Sequence, residues 1–431
     1  MALDKIVKWF RPGLRIKRWI VVIFLGLLFA LLGAAAVFLL VIGTQGFDER
    51  WKLVLAASLG FSLAAFCLIT GIYRLIKSMW GLVGRRGSAS GGLVEAAYLR
   101  AKMTHGPRVV AIGGGTGLSV ALSGLREVAG YTTAIVAMAD DGGSSGKLRK
   151  ELGLQPPGDL RKCLIALADE EPLMGELLDY RFPEHELEGH NFGNLFLTVL
   201  ARIRGDFGAG VREANRILSV RGQVLPSTLD RIHLVATHED GSKTTGQAEI
   251  AKTEKRIKRL ELKPTPEPVA QDILAAIEDA DLIVLGPGSL YTSVIPNLLI
   301  EGLAPAIAAA KARKVFVSNI MTYEGETRGF DLHDFLQAID DHTAPHRVYD
   351  CVLVNNGVFF RPGDGAIVAP GGDEDTWTIQ ERQVRLVKNV LPPAMSARVR
   401  LFPADVINPA YPIRHDSRKL ANALMSVLRE G

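Results

Sequence analysis

Two stretches of this chain leave little choice of fold. Trp19 to Val41 and Leu53 to Tyr73 carry no charged residue and are almost wholly apolar. As a helix, each is long enough to cross the ~30 Å hydrocarbon core of a bilayer. Lipid offers no partners for backbone N–H and C=O groups, so two helices joined by a short turn are the natural solution. A cleavable signal peptide has an apolar run of only about 7–15 residues, with no second span behind it. A pair of core helices would carry a polar face, and neither run has a charged one.

The basic residues set an expected orientation. Lys5, Lys8, Arg11, Arg15, Lys17 and Arg18 precede the first run, and Arg74, Lys77, Arg85 and Arg86 follow the second. The turn around Gly46-Phe47-Asp48-Glu49-Arg50 has no positive excess. Both ends are therefore expected in the cytoplasm, with the hairpin in the inner (plasma) membrane and the bilayer in contact with residues 19–73. Trp19, Trp51, Tyr73 and Trp80 fall where an interfacial aromatic belt belongs. No charge lies inside the spans, so the hairpin, residues 1–80, reads as an anchor and not a transport path. Residues 81–106, with RRGSASGG at 85–92, read as a linker to a cytoplasmic domain over 107–431.

That domain alternates short apolar runs with helical patterns, which predicts a Rossmann-like parallel sheet with helices on both faces. Candidate strands are 109–112, 133–138, 232–236, 282–285, 315–318 and 352–354. The first enters Gly113-Gly114-Gly115-Thr116-Gly117, a strand–turn–helix that can seat a phosphate on backbone N–H groups. The dinucleotide fingerprint fails at Leu118, and no Gly-Lys-Ser/Thr follows. A nicotinamide-linked dehydrogenase is thereby disfavoured, since no His/Asp proton relay appears either. A second corner, Gly286-Pro287-Gly288-Ser289, opens into Leu290, Tyr291, Thr292 and Ser293. Two such corners suit a nucleotide diphosphate better than a lone phosphate.

Between them, Asp140 and Asp141 precede GGSSG, where carboxylates can take ribose or sugar hydroxyls, position a magnesium ion, or act as an acid/base pair. Asp159 reads as the N-cap of a helix through Leu167, whose Leu160, Leu164 and Leu167 have core spacing. Asn191 and Asn194 cap a helix or bond a ligand, and capping is favoured by the sequence alone. Arg328 is a candidate anion contact, with a surface ion pair to Glu324 or Glu326 as the plainer role. Residues 222–228 read as an irregular loop. The segment Glu184 to His190 misses the zincin spacing, with histidines at i and i+5, so no metal site is assigned. His233 and His238 have odd separation on a strand and would point to opposite faces. A formal net charge of +4 and the lack of a basic stripe argue against nucleic acid. Cys67, Cys163 and Cys351 lack CxxC spacing, which fits buried thiols in a reducing compartment.

Taken in order, GGGTG, DDGGSSG, GHNFGN, GQVLPST, GPGSLYTSVIPNLL and NIMTYEGET resemble the YvcK-like gluconeogenesis factor family, related in fold to the 2-phospho-L-lactate transferases. The resemblance covers roughly residues 107–341, with the hairpin outside it as in a membrane-tethered branch. It implies a domain that binds a UDP-sugar, typically UDP-N-acetylglucosamine. It also implies a regulatory link from carbon metabolism to cell-wall synthesis and cell shape, without turnover or a cofactor. A binding tyrosine of the family falls on Tyr291, and the nearest match to a downstream binding arginine is Arg328. The rival expectation is a transferase moving a phospholactyl-like group onto a deazaflavin alcohol. A homo-oligomer is compatible with the sequence, which points to no protein partner.

Overall fold

The structure is a computed structural model and describes residues 16–42, 47–83, 106–153, 155–169, 172–183, 187–322, 326–356, 391–411 and 413–430. Residues 184–186 of the Glu184 to His190 segment and Glu324 lie outside these residues, as do the basic residues at 5–15, 85 and 86. The chain divides into two compact units, Met1–Thr104 and His105–Gly431.

In the first unit, α1 (Ile16–Ile42) and α2 (Phe47–Val83) pack side by side. The apolar stretches long enough to span are Val21–Ile42 and Arg50–Arg74, of 22 and 25 residues. At 1.5 Å per residue even the shorter one reaches ~33 Å, enough for the hydrocarbon layer. Small residues set the contact. A Cβ on Gly60 would lie 3.1 Å from the Gly33 backbone, and Ala36, Ala57 and Ala64 are buried beside it. Phe24, Leu31, Phe66 and Ile69 point outward and stay exposed, as a lipid-facing surface requires.

The second unit is built on a seven-stranded sheet in the order β10-β9-β8-β7-β1-β2-β3, every neighbouring pair parallel. The strands are β1 (Arg108–Gly113), β2 (Tyr131–Val136), β3 (Gly222–Pro226), β7 (Leu282–Leu285), β8 (Arg313–Val317), β9 (Cys351–Asn355) and β10 (Arg400–Ala404). Alternation along each strand feeds two cores. Val110, Ile112, Ile283 and Leu285 enter one, while Val109, Ala111, Leu282 and Val284 enter the other.

The helices that cover the sheet and concern the site are α3 (Gly115–Val128), α4 (Gly143–Leu152), α5 (Gly158–Leu167), α6 (Pro172–Asp179), α7 (Phe192–Arg204) and α8 (Phe207–Ile217). They continue with the short α9 (Gln247–Ile250), then α10 (Gln271–Glu278), α11 (Ile295–Leu298), α12 (Leu303–Ala309) and α13 (Leu332–Thr343). The last two are α14 (Pro393–Ser396) and α15 (Ser417–Arg429). Leu160, Leu164 and Leu167 of α5 are all buried, as their spacing predicts, and so are Cys163 and Cys351. The terminal helix α15 buries Leu420, Ala421 and Leu424 against α3.

Three expectations need correction. The strand expected at 232–236 is β4 (His233–His238), and it does not join the parallel sheet. It pairs antiparallel with β5 (Lys243–Thr245) and β6 (Ile257–Lys263) in a separate small sheet. His233 is exposed and His238 buried, so the two do point apart. The supposed loop at 222–228 contains β3, the edge strand beside β2. Pro226 there, like Pro403 in β10, hides the strand from a propensity reading. An edge strand tolerates proline because one side of its ladder is open. Asp159 is not the N-cap of α5; that position is Pro157, with no side-chain cap.

Candidate functional site

In an open parallel sheet, ligands collect beyond the carboxyl ends of the strands, where the chain order reverses. Here β2 and β3 build outward from one side of β1, while β8, β9 and β10 build outward from β7 on the other. The divide therefore falls between β1 and β7, and each of these strands ends in one of the glycine corners.

The corners meet. A Cβ on Gly117 would sit 2.5 Å from the Pro287 carbonyl and 3.0 Å from the Gly288 Cα. A Cβ on Gly114 would lie 3.4 Å from Ser293 Cβ, and one on Gly288 the same distance from the Gly114 carbonyl. Gly115 and Gly286 hold φ of +64° and +77°, which a side chain would strain. Side-chain amides fasten the pair. Asn297 Nδ2 donates to the carbonyls of Gly113 at 3.1 Å and Ser293 at 2.7 Å, and the residue is fully buried. Asn319 accepts from the Gly288 N–H at 3.3 Å and donates to its carbonyl at 3.0 Å.

A carboxylate neighbourhood lies against the first corner. A Cβ on Gly114 would be 3.0 Å from Asp159 Oδ2, and one on Gly158 would be 2.8 Å from Asp140 Oδ2. Burial, and next the charge of Asp159, raise the Asp140 carboxyl above its ordinary range, although the Gly142 N–H donates to it at 3.1 Å. Asp159 is partly offset by Lys162, 3.3 Å away. Ser145 Oγ accepts from Gly158 N–H at 3.1 Å, and Ser144 Oγ accepts from Asn191 N–H and Asn194 Nδ2 at 3.2 and 3.1 Å. Asn191 is the N-cap of α7, its Oδ1 accepting from Asn194 N–H at 3.2 Å, so this motif holds Ser144 in the first turn of α4. Asn194 Oδ1 is buried without a partner. Among the described residues no group of three or more His, Cys, Asp or Glu is placed to hold a metal ion.

Other expected contacts point elsewhere. Both Asp141 oxygens accept backbone N–H groups, from Gln247 at 3.0 Å and Ala248 at 2.8 Å, and so cap α9. Tyr291 is 3% exposed. Its hydroxyl donates to the Ile257 carbonyl at 3.3 Å, and its ring stands edge-on to Phe330 and His342. Leu290 is core, and the Thr292 hydroxyl donates to Glu326 Oε1 at 2.7 Å. Glu326 Oε2 also accepts the Tyr291 N–H at 3.2 Å, and burial pushes this carboxyl up to about 7. Thr116, at the start of α3, is exposed, as is Arg328 on the turn before Phe330; Ser289 is half-buried. The structure thus gathers Gly113–Gly117, Gly286–Ser289, Ser293 and Asp140 at one place, and directs Asp141, Leu290, Tyr291 and Thr292 into packing.

Sequence reading missed Asp159, Asn297, Asn319 and Glu326 as parts of the site. Asn297 did leave a signal, a single amide within the apolar SVIPNLLI.

Comparison with known proteins agrees with this architecture. Residues 109–362 match the family described as 2-phospho-L-lactate transferase CofD. A gluconeogenesis factor from Halalkalibacterium halodurans is 51% identical over 246 residues, 57% of this chain and 76% of that protein. The gluconeogenesis factor of Bacillus subtilis is 38% identical over 333 residues, 76% of this chain and 100% of that one. A crystal structure of a UPF0052-family protein from Bacillus halodurans superposes with a TM-score of 0.66 at 41% identity, covering 74% of this chain and 98% of its own. The paired glycine corners thus sit in a chain that belongs to the CofD family, in the branch that holds the gluconeogenesis factors.

Proposed function

We propose that this chain is a membrane-tethered binding protein for a UDP-sugar, UDP-N-acetylglucosamine. In this reading it regulates and does not convert its ligand, linking carbon metabolism to cell-wall synthesis and cell shape. The observation that carries the reading is the meeting of two glycine corners at the β1–β7 divide. One corner suits a single phosphate. Two corners, with Gly114 and Gly288 in reach of each other, suit a pyrophosphate bridge. Asp140 stands at the end of β2, where this kind of fold takes a ribose hydroxyl. Tyr291 follows the second corner directly in the chain, with its ring buried against Phe330 and His342, and Arg328 is the candidate cation, on the exposed turn before Phe330. The gluconeogenesis-factor relatives support a regulatory role.

The membrane part of the reading rests on the two apolar helices and the basic residues outside them. It places the hairpin across the inner membrane through residues 19–73, with both termini and the second unit in the cytoplasm.

One observation favours a second reading, phospholactyl transfer. The Asp159 carboxylate lies beside Gly114 and the Asp140 carboxylate beside Gly158, close enough for the charge of Asp159 to raise Asp140, as in an acid/base or ion-positioning pair. Titration calorimetry of the full chain in detergent with UDP-N-acetylglucosamine, alongside incubation with nucleotide-activated phospholactate and a deazaflavin alcohol, separates the two. Saturable binding without product supports the regulator. Product formation replaces it with the transferase, and no binding at millimolar ligand refutes it.

A further inference from the structure

A groove of about 310 Å³ runs from the first glycine corner between α3 and α5. Its walls are Thr116, Ser119 and Ser123 from α3 and Lys162 from α5, over a floor of Ile165 and Ala166. Further along both helices Arg126 Nη1 donates to the Ala168 carbonyl at 2.7 Å, tying the end of α3 to the end of α5. The mouth is shared with the corner, because Thr116 belongs to it and Lys162 pairs with Asp159, the carboxylate beside Gly114.

We propose that the uncharged, polyhydroxylated half of a ligand held at the glycine corners lies in this groove. The proposal rests on the nucleotide-sugar reading and assigns its second half a place. Charge balance is the first argument. Arg161 is paired with Asp179 and Lys162 with Asp159, so the groove holds no surplus cation for a further phosphate. Hydrogen-bond character is the second. Ser119 Oγ donates to the Thr116 carbonyl at 2.9 Å and Ser123 Oγ to the Ser119 carbonyl at 3.0 Å. Their protons are committed, and their lone pairs remain as acceptors for ligand hydroxyls. Lys162 supplies the complementary N–H donors. A sugar ring matches both halves, with hydroxyls on the walls and its C–H face on Ile165 and Ala166. The volume is at the small end of ligand pockets, room for about one ring.

The test compares two ligands on one protein. Calorimetry on the full chain in detergent uses UDP and UDP-N-acetylglucosamine with wild type and Ser119→Leu, whose longer side chain fills the groove. Wild type is expected to bind the sugar nucleotide more tightly than UDP. Ser119→Leu is expected to erase that margin, a loss of about tenfold or more, with UDP affinity unchanged. Ser123→Val, read the same way, decides the matter if the first variant does not fold. A margin that survives in the folded variant overturns the groove assignment and leaves the nucleotide reading standing. So does a parallel loss for UDP, or the lack of any margin in wild type. Failure of wild type to bind either ligand removes both readings together.

Discussion

Glu326 offers the sharpest physical test of how the second corner is held. Its carboxyl is buried, accepting from Tyr291 N–H and Thr292 Oγ1 at the start of the turn that follows Gly288-Ser289. Burial raises its pKa from 4.5 to about 7. In the unfolded chain the group ionises near its ordinary value, so between these limits the unfolded state gives up a proton that the folded state keeps. The stability tied to this proton is fully present below about pH 4.5 and is lost as pH rises through about 7. At about 1.4 kcal/mol per pH unit, the loss is on the order of 3 kcal/mol. Glu326→Gln keeps an acceptor oxygen for one of the two donors, puts an N–H donor opposite the other, and cannot ionise. Its buried amide N–H groups cost about 1–3 kcal/mol for want of acceptors, so the variant is expected to be less stable than wild type at pH 5. The gap should close or reverse by pH 8.5. Urea unfolding followed by circular dichroism, on wild type and variant at half-unit steps of pH, reads the difference directly. Other titrating groups cancel in it when they lie far from residue 326. Two stability curves that stay parallel across this range would refute the claim that this carboxyl is held neutral by burial.

Gly117→Ala places a methyl 2.5 Å from the Pro287 carbonyl, so the corners must move apart. Affinity for UDP-N-acetylglucosamine is expected to fall by at least about tenfold, with a stability loss of about 1–3 kcal/mol, read by calorimetry and thermal unfolding. Unchanged affinity would mean the corners do not share the pyrophosphate. For orientation, protease added outside spheroplasts is expected to leave the second unit intact and to digest it once the membrane is opened. Digestion in sealed cells would reverse the proposed topology.

How far the sequence could be read depended on whether a residue's role was local. The β1 and β7 corners were legible because four apolar residues running into glycines specify strand and turn within one window. Their proximity followed only from the strand order, set by pairings between segments far apart in the chain. β3 and β10 escaped notice because Pro226 and Pro403 read as breakers, and edge position, a tertiary fact, is what makes them acceptable. Asp159 sits one residue inside α5 and so looked like a cap, yet its carboxylate faces Gly114 across the cleft. Asp141 shows the converse. Its place in a glycine-rich loop suggested a ligand, and its actual partners, the N–H groups of Gln247 and Ala248, lie more than a hundred positions downstream. Tyr291 stands out in its motif, and only tertiary packing, with its ring in the core against Phe330 and His342, turns it away from an open surface.

The packing of α15 on α3 has a consequence for biosynthesis. Gly124 of α3 has no room for a side chain because the Ser417 carbonyl presses against it, and Leu420 and Leu424 cover the same face. The helix that follows the first glycine turn therefore stays uncovered until nearly the whole second unit has left the ribosome. By that time the apolar hairpin at the other end of the polypeptide has long since emerged. In the membrane-tethered reading proposed above, insertion into lipid and completion of the cleft are thus separate events, and a ribosome that stalls before residue 417 leaves a chain with its hairpin made and its first corner without its final support.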